Sequence, residues 1–404
     1  MVEFRKLRDS AAASAAIHQQ QHPPQSQIFM ALQATPPRAR YIMIGGFLGA
    51  GKTTAVARLA KELTAAGHRV GLITNDQGRE LVDTAMLRSL GFATEEIPGG
   101  CFCCRFNSLT DAAASLTEST RPDVIIAEPV GSCTDLVATV TYPLRRIYGD
   151  SYHIAPLTVL VDPIRAQRVL GLAEGGNFSE KVVYIYRKQL EEADLIVISK
   201  CELLPAGPLA ELKAALQRAF PAAEVMAVSV REELNLEPWF DRVATGEQTP
   251  RAAMPVDYDV YADGEALLGW FNATVAVTAA DEFETGDLLR DLCGAVQTGL
   301  AAIPAEVAHL KMTYSPDESL GGDVAVVNLV RSDFVPELGI SLDEPSASGQ
   351  LIINLRAEAA PEDLAAVVQE ALKLTAARHP GLNLAVEHHE HFRPGRPTPT
   401  HRDP

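Results

Sequence analysis

The sequence predicts an α/β fold, a parallel sheet with helices on both faces, followed by a smaller α+β domain. From Tyr41 onward, short apolar runs alternate with amphipathic segments, as expected for buried parallel strands. The runs read YIMIGG, VGLIT, DVIIAE, APLTVLVD, DLIVIS and EVMAVS. A polar stretch with two prolines at residues 246–256 then marks a boundary. With 404 residues, the chain is long enough for about two or three domains.

These patterns divide the chain into five segments. We predict a disordered N-terminal extension, a first α/β domain, a linker, a second α+β domain and a His-, Arg- and Pro-containing tail, over residues 1–40, 41–245, 246–256, 257–387 and 388–404. The extension is rich in Ala, Ser, Gln and Pro and poor in acids, which also fits a transit peptide. A start at Met30 would make most of it dispensable.

The second domain alternates strands and helices in an order typical of an antiparallel layer sandwich. We predict strands at residues 271–278, LKMTY, VAVVNLV, LIINL and LNLAV. Helices are predicted at residues 285–308, interrupted at Pro304, and at residues 361–378. The tail has no regular period, so residues 388–404 are predicted to be a loop or an arm.

Charge and hydropathy exclude several classes of partner. The net charge is −17 and no basic stripe is present, which argues against binding to nucleic acid or to an anionic membrane surface. No apolar run approaches the roughly 18 to 20 residues that span a bilayer, and a secretory h-region is missing. We therefore expect a soluble, cytoplasmic protein.

A glycine-rich loop between the first strand and the first helix has the full pattern G-x-x-x-x-G-K-T. Backbone N–H groups of such a P-loop surround the α- and β-phosphates, Lys52 reaches the β- and γ-phosphates, and the Thr53 hydroxyl ligates Mg²⁺. The sequence thus predicts a P-loop nucleotide hydrolase fold. The predicted nucleotide-binding residues here are Gly46, Gly49, Ala50, Gly51, Lys52, Thr53 and Thr54.

Two carboxylates follow neighbouring strands, where loops would face the γ-phosphate. Asp76 follows VGLIT and Glu128 ends DVIIAE, so either is a candidate second Mg²⁺ ligand. Gly131 could offer its N–H to the γ-phosphate at close range because it lacks a Cβ. Gln77 and Arg79 are the nearby side chains that could orient water, although both also fit an exposed turn.

Three cysteines, Cys101, Cys103 and Cys104, lie between those two carboxylate loops. Adjacent cysteines cannot easily form an unstrained disulfide, and in a reducing compartment such a cluster favours metal binding. Three thiolates leave a fourth tetrahedral position open, which suits an ion that is handed on. The alternative for this cluster is a turn of small buried residues. Cys133 could join the metal site, but a buried small residue is the interpretation we adopt for it and for the scattered Cys201 and Cys293.

Together these motifs resemble the CobW group of P-loop GTPases, which is kin to the HypB and UreG nickel chaperones. GGFLGAGKTT, GGCFCC and residues 128–131 carry the resemblance, strongly over residues 41–245 and loosely beyond. The segments TNDQG, GGCFCC and EPVGSCTDL are most similar in sequence to those of the branch associated with cobalamin synthesis and nitrile hydratase activation. The resemblance implies a GTPase that carries Zn²⁺, Co²⁺ or Fe²⁺ on the three cysteines to a client metalloprotein.

One motif departs from that family. Where the family has Asn-Lys-x-Asp to recognise guanine, this chain has Ser199, Lys200, Cys201 and Glu202. Glu202 keeps a carboxylate on a longer arm, Lys200 keeps the stem that covers the base, and Ser199 loses the amide contacts of Asn. Losing a buried hydrogen bond costs about 1 kcal/mol, so we predict a weakened preference for GTP over ATP.

The tail carries His388, His389, His391 and His401, which could ligate metal or lie in solvent. Arg393 and Arg396 could dock the tail onto the nucleotide domain or onto a client.

The function predicted from all of this is GTP-gated metal delivery, in which hydrolysis releases the carboxylate loops and changes the geometry of the intervening thiolates. One alternative is a P-loop small-molecule kinase with structural cysteines. Another is a metal-responsive protein that binds nucleotide and hardly hydrolyses it. Assembly as a homodimer is left open.

Overall fold

The computed structural model describes residues 38–75, 82–149, 151–316 and 323–404. Most of the predicted N-terminal extension lies outside the described residues. So do Asp76, Gln77 and Arg79, three residues of the predicted switch loop.

The first part of the chain forms a parallel sheet, as predicted. Within the described residues it has eight strands, β1 Ala39–Gly46, β2 Val70–Asn75, β3 Ala93–Ile97, β4 Val124–Glu128, β5 Tyr152–Ile154, β6 Thr158–Val161, β7 Leu195–Ile198 and β8 Glu224–Ala227. Their order is β3-β2-β4-β1-β6-β7-β8, with β5 beside the first half of β1. The P-loop strand β1 is therefore central, and β2 and β4 end on one side of it.

Helices cover both faces of this sheet. They are α1 Lys52–Ala65, α2 Val82–Ser89, α3 Phe106–Ser119, α4 Tyr142–Tyr148, α5 Pro163–Val169, α6 Glu180–Glu192, α7 Ala206–Ala219 and α8 Leu236–Thr245. Alternate side chains of β1 enter two different cores. Tyr41 and Met43 pack on the side of α3 and α6, and Ile42 and Ile44 on the side of α1 and α8. Burial on both faces explains the nearly continuous apolar strands.

The second part is the predicted α+β unit, built on an antiparallel sheet. Its elements are α9 Tyr258–Leu267, β9 Leu268–Phe283, α10 Thr285–Ala301, β10 Glu306–Ser315, β11 Ala325–Leu329, β12 Glu337–Ile340, β13 Ser346–Glu358, α11 Pro361–Arg378 and β14 Leu382–Phe392. The strand order is β12-β11-β10-β13-β9-β14. Helices α10 and α11 pack on one face. The other face lies against the first domain, where Trp270 and Ala308 join its core.

The structure differs from the sequence prediction in several places. The predicted helix over residues 285–308 ends at Ala301, because Pro304 cannot continue it, and residues 306–308 instead begin β10. The short strands β3, β5 and β12 were not predicted. Helix α9, which was not predicted, follows the linker and is capped by the Asp257 carboxylate. The predicted loop at residues 388–392 is instead the end of β14, with His388 opposite Thr274 and Phe392 opposite Trp270. Backbone pairing with the long neighbouring strand β9 stabilises this part of β14. Because its side chains are mostly polar, the sequence shows no alternation of apolar residues that would predict a strand.

No helix within the described ranges is both long enough and apolar enough to cross a membrane.

Candidate functional site: a nucleotide cavity beside a cysteine cluster

The P-loop joins the carboxyl end of β1 to the amino end of α1. Gly51 precedes the helix with φ of 87°, a left-handed conformation that suits glycine. Lys52 and Thr53, the first residues of α1, are buried at the loop. The helix N-terminus therefore presents N–H groups and a lysine where an anionic phosphate chain would lie.

The predicted oxygen ligands of Mg²⁺ meet beside the P-loop. The Thr53 hydroxyl lies 3.0 Å from Oε1 of Glu128, and both side chains are buried. A hydroxyl at the start of α1 and a carboxylate at the end of β4 are the kind of ligands that Mg²⁺ takes from proteins. Of the two candidate carboxylates, only Glu128 falls within the described residues.

Gly131 packs tightly against the P-loop. A Cβ at this position would lie 3.0 Å from the backbone nitrogen of Leu48 and 2.9 Å from its side chain. The close approach to the P-loop therefore requires a glycine here, while the predicted role of its backbone at the γ-phosphate stays a prediction.

The Ser-Lys-Cys-Glu motif contacts the P-loop from the other side. The Ser199 hydroxyl lies 2.7 Å from the Ala50 carbonyl oxygen, so serine keeps a link to the P-loop without the amide of asparagine. Lys200 Nζ donates to the Gly49 carbonyl oxygen at 2.9 Å. Oε2 of Glu202 is buried and has no hydrogen-bond partner among the described residues. A buried, unsatisfied acceptor of this kind is suited to the N–H donors of a guanine base.

A cavity of about 450 Å³ contains all of these groups. Its opposite wall comes from the second domain and includes Lys311 and Arg356, both buried. This volume is typical of a small-molecule site. The second domain therefore helps to enclose the nucleotide cavity and adds positive charge to it.

A buried ion pair holds that wall in place. Arg331 of the second domain bonds to Asp162 at 2.9 Å, and Lys200 lies 3.4 Å from the same carboxylate. Burial raises the pKa of Asp162, but the charges of Lys200 and Arg331 lower it more, so the carboxylate is ionised. The lysine of the base motif is therefore linked to the second domain through one aspartate.

The three predicted metal ligands converge in a tight turn. Their Sγ atoms are separated by 2.8 Å for Cys101 and Cys103, 3.3 Å for Cys101 and Cys104, and 3.7 Å for Cys103 and Cys104. Three sulfurs tetrahedrally placed at the usual Zn–S length of ~2.3 Å would be ~3.8 Å apart. The cluster therefore fits a tetrahedral ion after a small opening. Among the described residues, all six cysteines are free thiols.

Hydrogen bonding makes the three thiols unequal. The hydrogen bonds from Cys103 and Cys104 lower the pKa of Cys101 well below its usual range. The bond between Cys101 and Cys103 raises the pKa of Cys103, and the bond between Cys101 and Cys104 raises the pKa of Cys104 to about 11. Cys101 is thus the thiol of the cluster that ionises most readily.

Residues 40–227 match the family model described as CobW/HypB/UreG, nucleotide-binding domain. The nucleotide-binding domain of this chain belongs to that family. Zinc chaperone YeiR of Escherichia coli (strain K12) is 31% identical over 164 residues, 40% of this chain and 46% of the relative. Zinc chaperone CobW of Pseudomonas aeruginosa is 27% identical over 216 residues, 48% and 57% of the two chains. The chain thus spans about half the length of each relative.

A solved structure, the Zn(II)-bound YjiA GTPase from E. coli, covers 83% of this chain and 99% of its own, with 16% sequence identity and a TM-score of 0.36.

Within this CobW/HypB/UreG domain, the sequence prediction missed the residue that connects the two sites. Asn75 ends β2, lines the nucleotide cavity and donates to the carbonyl oxygens of Ile97 and Gly100 at 2.8 and 2.6 Å. Gly100 directly precedes Cys101. The only signal in the sequence was a polar residue at a strand end, overshadowed by the adjacent Asp76.

Two further residues lie behind the cluster. Cys133 is buried, and its thiol contributes to lowering the pKa of Cys101. Glu265 of α9 accepts a hydrogen bond from Ser132 at 2.7 Å, and burial raises its pKa well above the usual range. A neutral carboxyl from the second domain thus packs behind the cysteine loop of the CobW/HypB/UreG domain.

Proposed function

We propose that this protein is a GTP-dependent metallochaperone. It binds a transition metal, Zn²⁺, Co²⁺ or Fe²⁺, on Cys101, Cys103 and Cys104, and nucleotide turnover releases that metal to a client metalloprotein. The observation that carries the proposal is the short connection between the sites. The Asn75 side chain lines the nucleotide cavity and holds the Gly100 carbonyl next to the first cysteine.

The nucleotide chemistry is assigned to the P-loop and its neighbours. Lys52 would bind the phosphates, while Thr53 and Glu128 would hold Mg²⁺, which when bound neutralises charge on the phosphate oxygens. The backbone of Gly131 would face the γ-phosphate. Gln77 and Arg79, the candidates that the sequence offers for orienting water, fit an exposed turn equally well, so we expect slow intrinsic hydrolysis.

The metal chemistry is assigned to the three thiolates. Three protein ligands leave one tetrahedral position for the incoming client ligand, which allows transfer by exchange. The similarity to two zinc chaperones, YeiR and CobW, supports Zn²⁺ as one cargo. Thiolates also accept Co²⁺ and Fe²⁺, and intrinsic affinity does not by itself identify the biological metal.

Single-turnover GTP hydrolysis with and without one equivalent of Zn²⁺ tests this function. Metal should change the rate in the wild-type protein and should have no effect in a variant with all three cysteines changed to serine. That variant should also lose stoichiometric metal binding while it still binds GTP.

The same experiment separates the alternatives. Metal-independent phosphate transfer to an added small acceptor would identify a kinase instead. Tight nucleotide binding without turnover, with or without metal, would indicate a binding protein.

A further inference from the structure

The C-terminal tail crosses directly over the cysteine loop. The backbone N–H of Thr398 donates to Sγ of Cys104 at 3.2 Å. The backbone N–H of Thr400 donates to the carbonyl oxygen of Cys103 at 2.8 Å, and its hydroxyl lies 3.2 Å from the Cys104 carbonyl oxygen. The tail thus bonds both to the peptide groups of the loop and to one of the sulfurs.

The local sequence suits this contact. In Pro397-Thr398-Pro399-Thr400 the two prolines have no N–H, so the segment has only two backbone donors, and both bond to the cysteine loop. Proline also fixes φ near the extended conformation, which lowers the entropy lost when the segment docks. The alternation directs every available backbone donor of the segment to one surface.

Ionic contacts hold the tail on either side of this segment. Before it, Arg396 pairs with Asp259. After it, Arg402 bonds to the buried carboxylate of Asp135 at 2.8 Å, and Asp403 bonds to Arg146 at 2.8 Å.

Further packing closes the same region. The ring of His401 lies edge-on to Phe106, with centroids 4.9 Å apart. Cys101 and Cys103 are buried, and Cys104, under the tail, is only partly exposed.

We propose that residues 396–403 are a structural part of the metal site, with the Thr398 N–H as an outer hydrogen-bond donor to the Cys104 thiolate. This inference rests on the proposed metal-binding function. A donor to a ligating sulfur stabilises its negative charge and fixes its orientation, as outer hydrogen bonds do at other metal sites. The tail also shields the cluster, so the metal is released faster when the tail is displaced.

Release of Co²⁺ or Zn²⁺ from the full-length loaded protein tests the proposal. An excess of a chromophoric chelator would be added at one pH, and the release rate measured for the wild type, Thr398→Pro and Thr398→Ala. Thr398→Pro removes the N–H but keeps the extended backbone, while Thr398→Ala keeps the N–H and removes only the hydroxyl. We expect Thr398→Pro to weaken metal binding by about 10- to 100-fold, mostly through faster release, and Thr398→Ala to behave like the wild type.

A second variant, Arg402→Ala, loosens the anchor at Asp135 without touching the thiolate bond. Metal should also be released faster from this variant, and its release rate should depend less on salt concentration than that of the wild type. Wild-type release rates in both Thr398→Pro and Arg402→Ala would overturn the role of the tail. If the wild-type protein shows no metal binding that requires its cysteines, the proposed metallochaperone function fails, and this inference fails with it. That outcome differs from normal metal binding with unchanged release rates in the tail variants, which would overturn the role of the tail alone.

Discussion

The side-chain amide of Asn75 donates a hydrogen bond to the carbonyl oxygen of Gly100 at 2.6 Å. This bond joins the end of β2, which lines the nucleotide cavity, to the residue before Cys101. A change of the β2 loop with nucleotide state would therefore reach the metal ligands through one side chain.

Replacing Asn75 with alanine should uncouple the two sites. The change leaves one buried and one partly buried carbonyl oxygen without their donor, at a cost of roughly 1 to 3 kcal/mol in the free energy of unfolding. Metal affinity should then depend less on whether GDP or a GTP analogue is bound, as measured by chelator competition. Thr74→Val is the matched control, because Thr74 lies on the same strand and bonds to Thr84 instead. Full coupling in Asn75→Ala would exclude this connection.

The Glu202 carboxylate should determine the preference for GTP over ATP. Its buried Oε2 lacks a partner among the described residues. The carboxylate can accept from the adjacent N1–H and N2–H groups of guanine, whereas adenine has an acceptor at N1 and only its N6 amine as a donor. Glu202→Gln should weaken GTP binding by about 10-fold or more, since hydrogen bonds to charged groups are worth ~1.5–3 kcal/mol, and leave ATP binding almost unchanged. The double change Ser199→Asn with Glu202→Asp should widen the GTP preference. Competition titrations against a fluorescent GTP analogue measure both, and an ATP preference that survives the double change would refute this assignment.

Lys52 should be needed for turnover and dispensable for metal binding. It lies at the start of α1 beside the phosphate position, so Lys52→Ala should abolish GTP hydrolysis and weaken nucleotide binding, while Zn²⁺ still binds with the same stoichiometry. Lys61→Ala, an exposed lysine on the same helix, is the control for loss of charge. Normal hydrolysis by Lys52→Ala would contradict the nucleotide site.

The buried carboxyl of Glu192 should make stability depend on pH. Its pKa is raised to about 8, mainly by burial and also by the charge of Asp135. Hydrogen bonds from Val137 and Thr134 lower the pKa but only partly offset this rise. The folded state therefore keeps a proton that the unfolded chain releases near pH 4.5, so the free energy of unfolding falls as pH rises from about 4.5 to 8 and then levels off.

Glu192→Gln, which resembles the neutral acid, should flatten that profile. At pH 8 it should be more stable than the wild type by roughly 1 to 3 kcal/mol, with little difference near pH 4.5. Urea unfolding across this range measures the effect, with the exposed neighbour Glu191→Gln as control. Parallel profiles for wild type and Glu192→Gln would contradict a neutral Glu192.

Much of the site could be predicted from sequence because its motifs are local. The P-loop and the cysteine turn each lie within a few consecutive residues, and regular alternation of strands and helices placed them at one edge of a parallel sheet. Glu128 was found because it ends an apolar strand. Such signals depend on neighbours in the chain and not on long-range packing.

Contacts between distant segments could not be predicted in this way. Arg331 and Asp162 are far apart in sequence, and no local pattern shows that they form a buried pair. The docking of Thr398 on Cys104 has the same origin. Helix α9 and the end of β14 were not predicted, because packing against the first domain and pairing with β9 determine their positions.

The central claim, that nucleotide state controls the metal site, is tested most directly by metal affinity measured in the apo, GDP and GTP-analogue states at one pH with a chromophoric chelator. Linkage is reciprocal, so the factor by which GTP analogue with Mg²⁺ changes metal affinity must equal the factor by which metal changes analogue affinity. We predict a factor of about 5 to 150, which corresponds to ~1–3 kcal/mol, and its loss when Cys101, Cys103 and Cys104 are changed to serine. Equal metal affinity in all three states would contradict the account, even if nucleotide and metal each bind.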